Sequence, residues 1–189
     1  MSSTADIVTA AAGFVDRTLQ NEGAWYRADD VGSRLGGAFA SYGSSVGAVR
    51  GTVRDALRKY KDLDHDGVVL LASALWGQPK PGARPVFERR LAAVVLLQSR
   101  VGVLRHSDLT RMEAFLRSAQ TRELADPLVA DVVVPLLAGL PDRDRQRADV
   151  VLARWRKDPD TRLRQAAALI DQQARPEAPP QGDTHERAL

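Results

Sequence analysis

Apolar residues recur at steps of three and four along nearly the whole chain, and that spacing admits helices and little else. Ile7, Val8, Ala11, Phe14, Val15 and Leu19 form one stripe, and Gly23 follows as a stop. Val46, Val49, Val53, Leu57 and Tyr60 form a second. Leu109, Met112, Phe115, Leu116 and Ala119 form a third, behind His106-Ser107-Asp108 as a capping cluster. Val150, Val151 and Trp155 share one face of a helix that Asp142 or Asp144 opens. Asp158-Pro159 set an N-cap acceptor and a first-turn proline before a last helix through Leu163 and Ala166 to Ile170. Three segments, 68–76, 91–101 and 129–137, are apolar almost all round. Each continues a pattern longer than a typical strand, without hairpin punctuation, so central helices covered on both sides are predicted. The fold class is therefore all-α, with about eight or nine helices stacked as antiparallel pairs. No heptad supports a coiled coil.

Residues 1–174 are read as one helical domain, interrupted by a loop from Gly77 to Pro85. The stretch 175–189, opening Arg175-Pro176-Glu177-Ala178-Pro179-Pro180, is expected to be a disordered tail. With 189 residues, of which 44% are hydrophobic, the chain is long enough to bury a real core. It has no cysteine, which removes disulfides, thiolate metal ligands and cysteine nucleophiles. The longest apolar run is too short for a bilayer, and residues 1–20 lack the pattern of a secretory signal. A cytoplasmic protein is expected, with no membrane partner.

Two motifs tempt and fail. Asp62-Leu63-Asp64-His65-Asp66-Gly67 opens like a calcium-binding loop, but the twelfth position, where a bidentate glutamate belongs, is Ser73. A capped turn between helices is predicted instead. Gly43-Ser44-Ser45-Val46-Gly47 fits the pattern of a nucleophile elbow, which needs a strand feeding a parallel sheet that this sequence does not predict. Ser44 or Ser45 is expected to cap the next helix. Neither a metal nor a cofactor is expected.

The net charge is +3, and arginine far outnumbers lysine. Arg50, Arg54 and Arg58 stand at successive steps of four, one stripe opposite the valine face of their helix. Arg154, Arg156, Lys157, Arg162 and Arg164 gather around the last interhelical turn. Such runs are usually solvated faces. Guanidinium groups also match phosphate bidentately, and stripes on stacked helices can follow a nucleic-acid backbone.

Four segments, in order, resemble the DNA alkylation repair family of HEAT-like-repeat glycosylases. They are Tyr42-Gly43 with Val49-Arg50; Leu75-Trp76, a proline turn, Glu88 and the helix from Leu91; Thr121-Arg122-Glu123-Leu124-Ala125-Asp126; and Arg154-Trp155, Asp158 and Leu163-Arg164-Gln165-Ala166-Ala167. The resemblance covers roughly residues 25–170 and implies a HEAT-like repeat fold that binds alkylated double-stranded DNA on a concave basic surface. It implies Asp126 as the catalytic carboxylate, with Arg50, Arg54, Arg58, Arg122, Arg162, Arg164 and Gln165 along the DNA. It also implies a monomer, nucleoid-associated when bound to DNA.

The departures are chemical. Arg122 stands where the family has an aromatic four residues before the aspartate, Arg162 where a tryptophan is usual, and Gln165 where an arginine grips the backbone. The family's last helices, with another cleft aromatic, would follow Ile170. Pro127 and Pro135 are expected to interrupt the helix after Asp126. A purine alkylated at N3 or N7 is already cationic and leaves without protonation, so one carboxylate able to stabilise a cationic sugar suffices. Arg122 would repel that cation and is positioned to pair with Asp126 instead. Asp126-Pro127 equally fits a helix cap and first turn. Two further readings stand beside the glycosylase: a noncatalytic DNA-binding scaffold, and a protein–protein adaptor, which would need an exposed apolar groove.

Overall fold

The computed structural model describes residues 3–174, so the expected tail at 175–189 lies outside the described residues. Helices α1 (Thr4–Asn21), α2 (Trp25–Arg34), α3 (Val46–Lys59), α4 (His65–Trp76) and α5 (Phe87–Ser99) make the first part. Then come α6 (Leu109–Ser118), α7 (Arg122–Pro127), a π-helical segment (Leu128–Val133), α8 (Val134–Gly139), α9 (Asp142–Arg156) and α10 (Thr161–Gln173). From α7 to α8 the chain is one unbroken helical run, which gives nine helices among the described residues. The all-α class follows from the sequence pattern and is what forms.

Helices α1, α3, α4 and α5 pack on one another, while α6, α9, α10 and the π segment form the second group; α5 touches both. Its residues Ala92 to Leu97 are all buried, as the all-round apolar pattern predicts. The stripes of α1, α6 and α10 also point inward. In α3 the stripe begins one turn late: Val49 and Val53 are buried but Val46 is exposed.

The caps follow local chemistry. Ser45 Oγ accepts from Ala48 N at 3.1 Å at the start of α3, and Asp64 Oδ1 accepts from Gly67 N at 2.8 Å at the start of α4. The serine and the aspartate of the two tempting motifs are therefore caps. Buried Asp108 accepts from Arg105 N at 2.7 Å and binds His65 Nε2 at 2.9 Å, while Asp66 takes His65 Nδ1 at 2.7 Å. The bond to Asp108, reinforced by Asp66, raises the His65 pKa above its ordinary value. A raised folded pKa contributes stability that is full below about pH 6.5 and is lost as pH rises through the higher folded value. His65→Gln is thus expected to destabilise the protein more at pH 6 than at pH 9, measured by urea unfolding. An equal loss at both would contradict this.

Several expectations are corrected. Asp158 does not cap α10; Asp160 does, through its Oδ1 and Arg162 N at 2.9 Å. The Asp158 carboxylate is taken by Arg117, Nη1 at 3.0 Å and Nη2 at 2.7 Å, and by Asp160 N at 2.9 Å. The Arg117 guanidinium, with the Asp160 amide, holds its pKa below the usual carboxylate range. Val150 points outward, 72% exposed, and the buried face of α9 is Ala148, Leu152 and Trp155. Asp126 is no cap, because α7 begins at Arg122 with Thr121 as its N-cap. Nor do the prolines stop the helix. The α geometry ends at Pro127 and the run widens to π geometry between them, which accommodates the N–H that Pro135 lacks inside a continuous helical run.

Two polar clusters tie the loops to the core. Buried Glu88 accepts from Ser41 Oγ at 2.5 Å, Tyr42 N at 3.1 Å and Gly43 N at 2.9 Å. Gly43 has φ +76°, and a Cβ there would lie 2.0 Å from the Ala24 carbonyl oxygen, so only glycine fits the turn. Around Trp155, which is fully buried, Glu113 accepts from its Nε1 at 2.9 Å, from Arg154 at 2.5 Å and from Arg117 at 2.8 Å. Burial alone would raise the Glu113 pKa, but the bonds from Arg117, Trp155 and Arg154 outweigh it and lower the value.

Candidate active-site cleft

The chain turns from α6 into α7 at Gln120, whose φ of +63° is the one positive value at a non-glycine among the described residues. Thr121 then accepts from Glu123 N at 3.3 Å and starts the helix. From there the helical period sets one face: Arg122 and Asp126 lie four apart, and Ala125 and Val129 pair the same way. On α10 the same period aligns Arg162, Gln165, Ala166, Leu169 and Gln172. These two faces enclose a cleft of about 330 Å³. Its floor is apolar and small (Ala119, Ala125, Val129, Ala166, Leu169), and its rim is polar or cationic.

Arg122 Nε lies 3.2 Å from Asp126 Oδ2. The two side chains are 83% and 46% exposed. An exposed i,i+4 pair of this kind contributes only about 0.3–0.5 kcal/mol. Arg162 Nε rests 3.1 Å from Asp160 Oδ1. The Arg162 amide, more than its guanidinium, keeps the Asp160 pKa low. Among the described residues, no aromatic ring lines the cleft. Trp25 stands exposed on α2, Trp76 stacks on Phe115 with centroids 4.5 Å apart, and Trp155 is buried.

Arg122, Asp126, Arg162 and Gln165 thus meet in one cleft although 36 positions separate the first helix's Asp126 from Arg162. The other predicted residues lie elsewhere. Arg164 turns back onto its own helix start, donating to the carbonyls of Asp158 at 2.6 Å and Pro159 at 2.9 Å and to Thr161 Oγ1 at 3.0 Å. Arg154 is bound to Glu113, and Arg156 to Asp171 at 2.6 Å. Arg50, Arg54 and Arg58 form an exposed stripe on α3, where Asp55 lies 3.8 Å from Arg54 and 3.7 Å from Arg58. That helix packs on α1 and α5, neither of which lines the cleft.

Sequence reasoning missed Gln120, Leu169 and Gln172 along the cleft, and the ion pair from Arg34 to Glu123 that ties the end of α2 beside the cleft. The helical period from Gln165 reaches Leu169 and Gln172 and was signal enough for those two. Nothing local links Arg34 to Glu123, which are 89 positions apart.

Fold and cleft together define a protein of stacked helix pairs with a cleft that brings a carboxylate together with two arginines. Residues 15–174 match the family model described as DNA alkylation repair enzyme, and the chain belongs to that family. No curated protein and no solved structure matches it.

Proposed function

We propose that this repair protein binds duplex DNA without sequence preference and hydrolyses the N-glycosidic bond of purines made cationic by alkylation at N3 or N7. The observation that carries this reading is the convergence of Asp126, Arg122, Arg162 and Gln165, from two helices distant in sequence, on one cleft with an apolar floor. The C1′–N bond breaks with its electron pair going to the base, which neutralises the ring. Water adds to the cationic sugar carbon and loses its proton to solvent. The Asp126 carboxylate stabilises the sugar cation, most strongly when bound DNA excludes water from the cleft. A base that is already cationic needs no acid, so the reaction calls for no cofactor. The protein acts as a monomer on cytoplasmic, nucleoid DNA.

A second reading is favoured by two observations: Arg122 already holds Asp126, and no ring among the described residues lines the cleft to attract a cationic base. On that reading the protein binds DNA and does no chemistry. Release of 7-methylguanine or 3-methyladenine from methylated duplex decides between them.

The arginine stripe makes a separate prediction. Arg50→Glu with Arg54→Glu is expected to weaken duplex binding and to flatten the log–log salt slope by about 2, since each phosphate contact contributes about 0.9. Fluorescence anisotropy at several salt concentrations measures this. Unchanged affinity and slope would make the stripe ordinary solvated surface.

A further inference from the structure

We propose that Arg122 and Arg162 form a latch operated by DNA: backbone phosphates taken up by the two guanidiniums draw Arg122 off Asp126 and bare the carboxylate only when DNA occupies the cleft. This deepens the reading of Asp126 given above and rests on it.

Three observations and one chemical argument support the latch. The first is position: Arg122 and Arg162 come from the two helices that wall the cleft and both line it, so a DNA backbone lying along the cleft passes both. The second is weakness. Arg122 is 83% exposed and held by a single 3.2 Å contact at i,i+4 spacing, which solvent screens heavily. A phosphodiester offers guanidinium a bidentate, charge-assisted partner and wins that competition. The third is what each carboxylate keeps afterwards. Asp160 Oδ1 retains the Arg162 amide at 2.9 Å and stays capped, so Arg162 leaves at little cost. Asp126 has no second partner among the described residues, so losing Arg122 leaves its charge open to the cleft.

The fourth is chemical economy in the free protein. An unpaired carboxylate beside an apolar floor would attract any small cation. Paired with Arg122 it is neutralised until a polyanion arrives. The latch thus explains how an arginine can occupy the cleft beside Asp126 without opposing the cationic sugar: in the bound state its charge is spent on the phosphate.

The test uses unmodified duplex DNA, so base release plays no part in it. The side-chain carboxyl carbon resonance of Asp126 is followed by NMR in the full chain, with and without duplex at saturation. In wild type it is expected to move on DNA binding. In Arg122→Gln it is expected to stand displaced already and to move little more, and the salt slope of binding is expected to fall by about 1. Arg162→Gln is expected to lower that slope by a similar amount and to reduce the Asp126 shift. Inorganic phosphate at the same phosphate concentration, lacking the linked phosphates that hold a duplex on the protein, is expected to move the resonance much less. An unmoved resonance with DNA bound overturns the latch while leaving the proposed function standing. So does an equal shift in Arg122→Gln, which would come from DNA proximity alone, or an equal response to inorganic phosphate. Absence of any duplex binding by wild type overturns both together.

Discussion

Asp126→Asn is expected to lower release of alkylated purines at least about 100-fold, the scale seen when one preorganised electrostatic group is removed from a reaction centre. The amide keeps the size and shape of the carboxylate and loses only its charge. Asp126 lies inside α7 and caps nothing, so the folded state loses no more than one weak exposed contact, about 0.5 kcal/mol. Thermal stability and duplex affinity are therefore expected to stay near wild type. The measurement is single-turnover release from methylated duplex, beside a melting curve for each protein. Unchanged release would remove Asp126 from the chemistry.

Trp155→Ala is expected to have the largest effect on stability. The indole is fully buried between α9 and its neighbours and donates to Glu113, which also holds Arg117 and Arg154. Truncation leaves a cavity and takes one of the two donors from Glu113 Oε2, which keeps Arg154, and removing a buried tryptophan costs about 3–5 kcal/mol. A chain of this size loses roughly 2–4 °C of Tm per kcal/mol, so the melting temperature is expected to fall by about 10 °C or more. Trp155→Phe keeps most of the volume but not the N–H, and separates packing from the Glu113 bond. A fall of only a few degrees in Trp155→Ala would mean that the site collapses around the gap.

Helix faces were readable from the sequence because period and burial are one physical statement. Leu109, Met112, Phe115, Leu116 and Ala119 are all buried, as their spacing predicts. Where reading failed, a distant partner had intervened. Asp158-Pro159 has the local chemistry of a cap, but Arg117, 41 positions away, takes the Asp158 carboxylate and passes the cap to Asp160. Asp126-Pro127 has the same look, yet Thr121 upstream starts the helix first. Pro135 signals an interruption, and the π segment absorbs it instead. In the cleft, the Arg122–Asp126 pair was legible because it is a contact within one helix. That α10 would face it was not, since only packing brings Arg162 and Gln165 across. The resemblance segments divide the same way: Glu88, Trp155 and Asp158 hold turns and helices together, and one segment of the four carries Asp126.

The most direct measurement of the central claim is release of 3-methyladenine and 7-methylguanine from methylated duplex DNA by wild type and by Arg122→Trp. Wild type is expected to release base. Arg122→Trp is expected to bind DNA more weakly, having lost a cationic contact, and to release base faster at saturation. A ring there attracts the cationic sugar and base by about 0.5–2 kcal/mol. If neither protein releases base while both bind duplex, Asp126 does no chemistry and the protein is a noncatalytic DNA-binding scaffold.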